Sequence, residues 1–156
     1  MALVFSDKSL KTGPTVFTPL QPWINFRISN AKILYQPNVY QGDGSENRVN
    51  ICLESDEATQ QILEYEKHLS GNICSCIKED HVKAKLSWDT VRFFDITGDK
   101  TERPQMLAGY LVNVVFRIKG KWSSHQQTGL SLEVSDIQLL QPRETENSCP
   151  FEDLSH

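Results

Sequence analysis

The chain has 156 residues, enough for one domain with a core of its own, and its 38% hydrophobic and 23% charged residues are those of an ordinary globular protein. No apolar run approaches the length of a membrane span, and Met1 to Phe5 is too short for a secretory signal, so an intracellular protein without membrane contact is expected. The net charge of −4 argues by itself against a polyanion-binding surface, but residues 1 to 142 carry fifteen Lys and Arg against sixteen Asp and Glu, and most of the excess lies in Arg143 to His156, with one against four.

Residues 1–22 contain Gly13-Pro14, Pro19 and Pro22 without lasting periodicity. They are expected to form an N-terminal arm that docks through Val16, Phe17 and Leu20. From Trp23 to Leu34, Ile24, Phe26 and Ile28 alternate with Asn25, Arg27 and Ser29, which predicts a first long strand. Gln41 to Gly44 is a turn signal, and Val49, Ile51 and Leu53 resume the alternation, so the first two strands form a hairpin whose loop carries Tyr35, Pro37 and Tyr40. At Ser55 the period changes. Ser55 suits a helix N-cap, Asp56 and Glu57 its first turn, and Ala58, Ile62, Tyr65 and Leu69 one apolar stripe, with Gly71 past the end and Glu57, Glu64 and Glu66 outside.

Val82, Ala84, Leu86 and Trp88 then alternate with Lys83, Lys85 and Ser87, a third strand with lysines on one face, and Val91 to Ile96 extends it beyond Asp89-Thr90. The clearest periodicity runs from Tyr110 to Leu140. Val112, Val114, Phe116 and Ile118 face one way, Arg117, Lys119 and Lys121 the other, and Trp122 follows beside them. After the loop Ser123 to Gly129, Leu130, Leu132 and Val134 are followed in opposite parity by Ile137 and Leu139, which predicts a β-bulge at Ser135 or Asp136. About five strands with one or two helices and no βαβ regularity make a mainly β fold. The economical closed arrangement is a five-stranded Greek-key barrel of the OB type over residues 23–142, followed by an acidic flexible C-terminal tail over 143–156. The helix falls before the third strand rather than after it, unless a short strand lies near Ile73 to Ile77.

Lys83, Lys85, Arg92, Arg117, Lys119 and Lys121 occur on or beside strands that also supply Phe93 or Phe94 and Trp122, while Tyr35 and Tyr40 stand in a loop. Cations on a strand pair can follow phosphates while rings accept bases, each stack being worth roughly 1–3 kcal/mol whatever the base. The competing reading is that the cations are solvated faces and the rings are core; Trp88, which shares the parity of Leu86, is assigned to the core, and Trp122 stands between the two readings.

The lysine-bearing strand VKAKLSW, the aromatic segment VRFFDITG and the closing hairpin VVFRIKGKW…GLSLEVSDIQLL resemble the single-stranded DNA-binding proteins of bacteriophages and large DNA viruses, over about residues 24 to 142. The resemblance implies an OB barrel that coats exposed single strands during replication, recombination or repair, without sequence specificity. It also implies an acidic tail that docks on replication or recombination proteins, for which Glu144, Glu146, Phe151, Glu152 and Asp153 would serve; here Leu154, Ser155 and His156 follow the phenylalanine.

Other constellations point elsewhere. His68, Cys74, Cys76 and His81 have ligand types that zinc prefers, but Cys-x-Cys is tighter than the usual spacing, and two buried thiols with two solvated histidines is the simpler reading. No metal or cofactor is expected, and the four cysteines, Cys149 included, are read as free thiols. No phosphate-cradling glycine loop, nucleophile elbow or HExxH occurs, and Asp89, Asp95 and Asp99 are spaced like turn residues, so no enzyme is expected. The alternative function is a protein-interaction or virion structural β module that binds no nucleic acid. Open strand edges leave a homodimer available to either.

Overall fold

The computed structural model describes residues 5–6, 9–12, 14–39 and 48–141. In chain order its elements are β1 (Leu10–Thr12), β2 (Thr15–Ile33), β3 (Asn38–Val39), β4 (Arg48–Glu54), α1 (Asp56–Glu66), β5 (Asn72–Ile73), β6 (Ile77–Lys78), β7 (His81–Ser87), β8 (Arg92–Phe94), β9 (Lys100–Thr101), β10 (Leu111–Ser124) and β11 (Gln127–Gln141). The protein is mainly β with one helix among the described residues. Tyr40 and residues 142–156, and with them Glu144, Glu146, Phe151, Glu152 and Asp153, lie outside the described residues.

Five strands close a ring of hydrogen-bonded neighbours in the order β2, β4, β7, β11, β10 and back to β2. Every pairing in it is antiparallel except one, where β11 meets β7 in parallel at Glu133 and Lys85. The ring follows from the apolar parity: Ile28 and Ile33 of β2, Ile51 and Leu53 of β4, Val82 and Leu86 of β7, and Phe116 and Ile118 of β10 are fully buried inside it. Each such side chain contributes roughly 1.5–3 kcal/mol. Val115 pairs with Asp136 and Phe116 with Val134, so Ser135 is the extra residue of a bulge, where the change of parity predicts one.

The helix forms as its sequence predicts. Ser55 is the N-cap and its Oγ accepts a hydrogen bond from the Ala58 N–H at 3.1 Å, while Ala58, Ile62 and Tyr65 are buried on the core, with the Tyr65 ring 5.6 Å from that of Phe26. One residue departs from the expected pattern. Glu66 belongs not to the solvent face but to the interior, 6% exposed, where its carboxylate accepts from Ser75 Oγ at 2.6 Å and from the Cys76 N–H at 2.7 Å. This ties the 72–78 segment to the helix end. Its ends make two short strands: β5 runs parallel to β11 and β6 pairs with β7.

The N-terminal arm also differs. Residues from Thr15 onward are already part of β2, which runs for 19 residues with Val16, Phe17, Thr18 and Pro19 opposite Ser123, Trp122, Lys121 and Gly120 of β10. The prolines hide this strand by interrupting the alternation. Between Pro19 and Ile24 the chain leaves the ladder, β2 spending residues 20–23 where β10 spends only Lys119. A segment that does not pair with β10 tolerates Pro22, which has no N–H to donate. Leu20 turns into the core there and Trp23 turns out.

Candidate functional site

Two residues without side chains organise the end of the β10–β11 hairpin. A Cβ at Gly129 would come within 2.8 Å of the Trp122 indole and within 2.8 Å of the Cys74 carbonyl oxygen. One at Gly120 would lie 2.9 Å from the Phe17 ring and would clash with the Thr18 carbonyl oxygen. Each ring therefore lies against bare backbone, and because Phe17 and Trp122 are paired directly across β2 and β10, both stand on the same face. That face opens onto a groove of about 830 Å³. Besides the two rings, its lining includes Arg48, Lys78, Lys83 and Lys85 from β4, β6 and β7, and Cys74, Ser75 and Cys76 from the segment pinned by Glu66.

The groove brings together three of the residues expected from sequence, Lys83, Lys85 and Trp122, and adds Phe17, Arg48 and Lys78, which are not among the binding residues expected from sequence. Phe17 is expected from sequence only as a docking residue of the arm. Arg48 opens the second strand in the solvent parity opposite Val49 and Ile51, and that parity is the signal by which it can be found.

The remaining cations do not share this groove. Successive residues of a strand point to opposite sides, so Lys121 cannot face the way Trp122 does. The expectation that Arg117, Lys119 and Lys121 act with the Trp122 indole is therefore corrected: the indole beside Arg117 and Lys119 is Trp23, and the ring beside Lys121 is Phe5. The Trp23 ring is 46% exposed, with the Arg117 guanidinium 5.2 Å and the Lys119 ammonium 4.9 Å from its centre. Arg117 Nε donates to Asn25 Oδ1 at 3.0 Å, Lys119 lies 3.5 Å from Glu133, and Lys121 stands 4.5 Å over the Phe5 ring. Along the same wall a smaller cleft of about 330 Å³ is lined by Arg27, Arg92, Phe94, Asn113, Asp136 and Gln138 among others. Arg92 Nε donates to Asp136 there at 2.7 Å.

Phe93 is also corrected. It is 5% exposed and stacks at 6.4 Å on Trp88, so its ring is core and closed to a ligand, while Phe94, its neighbour in the opposite parity, faces the smaller cleft. Trp88 is half-buried against the core, with the Arg103 guanidinium 4.0 Å from its ring. Tyr35 is 61% exposed, edge-on to His81 at 6.3 Å, and lines neither cavity.

His68, Cys74, Cys76 and His81 do not converge; among the described residues the one cluster of three such donors is Glu79, Asp80 and His81, in which both carboxylates are exposed. The Cys76 thiol is pushed up to about 12, first by burial and then by the charges of Glu66 and Cys74, and it donates to the Leu130 carbonyl at 3.8 Å. Asp95 behaves as a turn residue. Its carboxylate accepts from Thr97 Oγ1 at 2.6 Å and from the Thr97 and Asp99 N–H groups at 3.0 Å, the Thr97 hydroxyl doing most to hold it below the usual carboxylate range.

No family model matches the sequence, and no curated protein does. Solved structures of the single-stranded DNA-binding protein from bacteriophage Enc34 match its fold. One covers 100% of both chains at 14% identity with a TM-score of 0.58. Its C-terminal truncation covers 92% of this chain and 97% of that one at 15% identity, TM-score 0.59. The same protein in complex with single-stranded DNA covers 91% and 97% at 16% identity, TM-score 0.57. At these identities the likeness is one of fold.

Proposed function

We propose that the chain is a sequence-nonspecific single-stranded DNA-binding protein that coats exposed strands during replication, recombination or repair inside a cell, and that it is not an enzyme. The observation that carries this reading is the groove in which Phe17 and Trp122 lie on Gly120 and Gly129 beside Arg48, Lys78, Lys83 and Lys85. Rings held against backbone keep a stacking surface in place before any base arrives, and cations along the adjoining strands meet the phosphates. Stacking on rings and pairing of cations with phosphates are indifferent to base identity, so sequence preference should be weak. The ring order β2, β4, β7, β11, β10 supports an OB-type Greek-key barrel, with α1 inserted between the second and third strands rather than after the third. The groove then lies on the outer side of the second and third barrel strands, with the last hairpin as its far bank. The likeness to a protein solved in complex with single-stranded DNA adds weight from outside this chain. In the same reading Glu144, Glu146, Phe151, Glu152 and Asp153 form a partner-docking tail.

Titration of intrinsic tryptophan fluorescence with oligo(dT) at several salt concentrations, beside a duplex of equal length, tests this. Saturable quenching by the single strand that weakens steeply with salt, with much less from duplex, is the expected result. Absence of binding at low salt would leave the protein-interaction module as the standing reading.

A further inference from the structure

We propose a second single-strand binding site centred on Trp23, on the outer face of β2 and β10 beside the groove, so that one protomer engages the nucleic acid at two places. The inference rests on the single-stranded DNA reading above. Its basis is the parity of β10, since along the row from β10 to β7 the outer face is continuous, Arg117 pairing with Glu133 and Glu133 with Lys85. Phe17 and Trp122 project into the groove, whereas Arg117, Lys119 and Lys121 occupy the other parity of β10 and face away from it. The groove lining includes neither Trp23, Arg27, Arg117, Lys119 nor Lys121.

The wall has the same two ingredients as the groove. An indole thrown outward by the excursion of β2 remains 46% exposed after two cations have settled against it. Outward side chains on one strand recur about every 6.7 Å, an interval close to the phosphate repeat of an extended single strand, and Arg117, Lys119 and Lys121 are three successive positions of that kind. Arg117 is held by an amide oxygen rather than by a carboxylate, so its charge remains open to a phosphate. The partners of Lys119 and Arg92, Glu133 and Asp136, make partly exposed ion pairs that a phosphate can replace at little cost. Cations flanking an exposed ring suit a chain of alternating phosphates and bases; an acidic peptide would use the cations and leave the indole in water. Lys121 pairs with Thr18 next to the Phe17–Trp122 pair, so the wall begins where the groove ends, at the hairpin tip, and a strand leaving the groove there can turn onto the back of the same hairpin.

Two variants of the full chain test the site: Trp23→Ala/Lys119→Gln for the wall, and Trp122→Ala/Lys83→Gln for the groove. Oligo(dT) of about 6 nucleotides, short enough to fill one face, and of about 30, long enough for both, are titrated by calorimetry, with circular dichroism confirming the fold. The unaltered protein should bind two short oligomers and each variant one. The wall variant should bind the long oligomer about tenfold more weakly, with a salt slope smaller by about 0.7 for each phosphate that the wall ceases to neutralise. Unchanged stoichiometry and long-strand affinity in the wall variant, with binding abolished in the groove variant, would remove the second site and leave the groove reading intact. Short-oligomer binding lost in the wall variant and kept in the groove variant would overturn both assignments, and no binding by the unaltered protein would overturn the function itself. Displacement from the wall by polyglutamate but not by oligo(dT) would reassign it to an acidic protein partner and overturn the proposal.

Discussion

At Gly129 a hydrogen atom decides whether an indole can lie against the sheet. Alanine there would bring its Cβ within 2.8 Å of both the Trp122 ring and the Cys74 carbonyl, and the carbonyl belongs to backbone that cannot move aside cheaply. Gly129→Ala should therefore cost about 1–3 kcal/mol in urea denaturation and weaken oligo(dT) binding as the ring is displaced. A variant as stable as the parent, with undiminished quenching by oligo(dT), would show that the ring does not depend on the glycine. Glu66 poses a different test of a single residue. Its buried carboxylate accepts two short hydrogen bonds, whereas Glu64, on the same helix, meets Lys67 at 2.7 Å with both side chains 69% exposed. Replacing Glu66 by Ala leaves the Ser75 hydroxyl and the Cys76 N–H without their acceptor, a loss of about 2–3 kcal/mol; replacing Glu64 by Ala should leave the denaturation midpoint nearly where it is. Equal losses would mean that the latch carries no more than a surface ion pair.

The segment that Glu66 holds, residues 72–78, also contains the most perturbed thiol. The native fold keeps the Cys76 proton up to a pKa of about 12, against an ordinary value of 9.0, chiefly because the thiol is buried. The native state thus binds this proton more tightly than the unfolded chain does. Its contribution is complete below pH 9.0 and is lost as the pH climbs toward about 12. Across that window the stability of the parent should fall more steeply than that of Cys76→Ala, by up to about 1.4 kcal/mol per pH unit, since lysines and tyrosines titrate alike in both. Parallel curves would place the thiol in solvent. The same segment shows where sequence stops being legible. The strands β4, β7, β10 and β11, the helix with its Ser55 cap and the Ser135 bulge are all written in local periodicity, because a half-buried strand or helix must alternate wherever it lies. The start of β2 is not, since prolines break the pattern before the ladder pairs Val16 to Pro19 with β10. Nor is the burial of Glu66, because its partners, Ser75 and Cys76, are brought back to the helix end only by the tertiary fold.

At the scale of the whole molecule the question is which residues share a face, and there one-dimensional reading is right about chemistry and wrong about grouping. Lys83, Lys85 and Trp122 come together from separate strands, but Arg117, Lys119 and Lys121 take the other parity of β10 from Trp122, and the indole that accompanies Arg117 and Lys119 is Trp23, far upstream of them in the sequence. Parity along β2 places Trp23 with Asn25 and Arg27, on the solvent side, and that signal is present in the sequence. Basic surface in the groove and around Trp23 also sets what the acidic terminus can do. Arg143 to His156 carries four acidic residues against one basic, and β11 ends at Gln141 shortly before it. A chain of that charge tethered to a cationic surface competes with phosphate at high local concentration. Cutting the chain after Pro142 should therefore raise oligo(dT) affinity roughly three- to tenfold at low ionic strength, and the gain should fade as salt screens both the tail and the strand. Combining the cut with the two variants locates the competition. A gain that persists with Trp23→Ala/Lys119→Gln but vanishes with Trp122→Ala/Lys83→Gln puts the tail against the groove, and the reverse puts it against the wall. Affinity unchanged by the cut at low salt would show that the tail leaves both faces open to the strand and is kept for another partner.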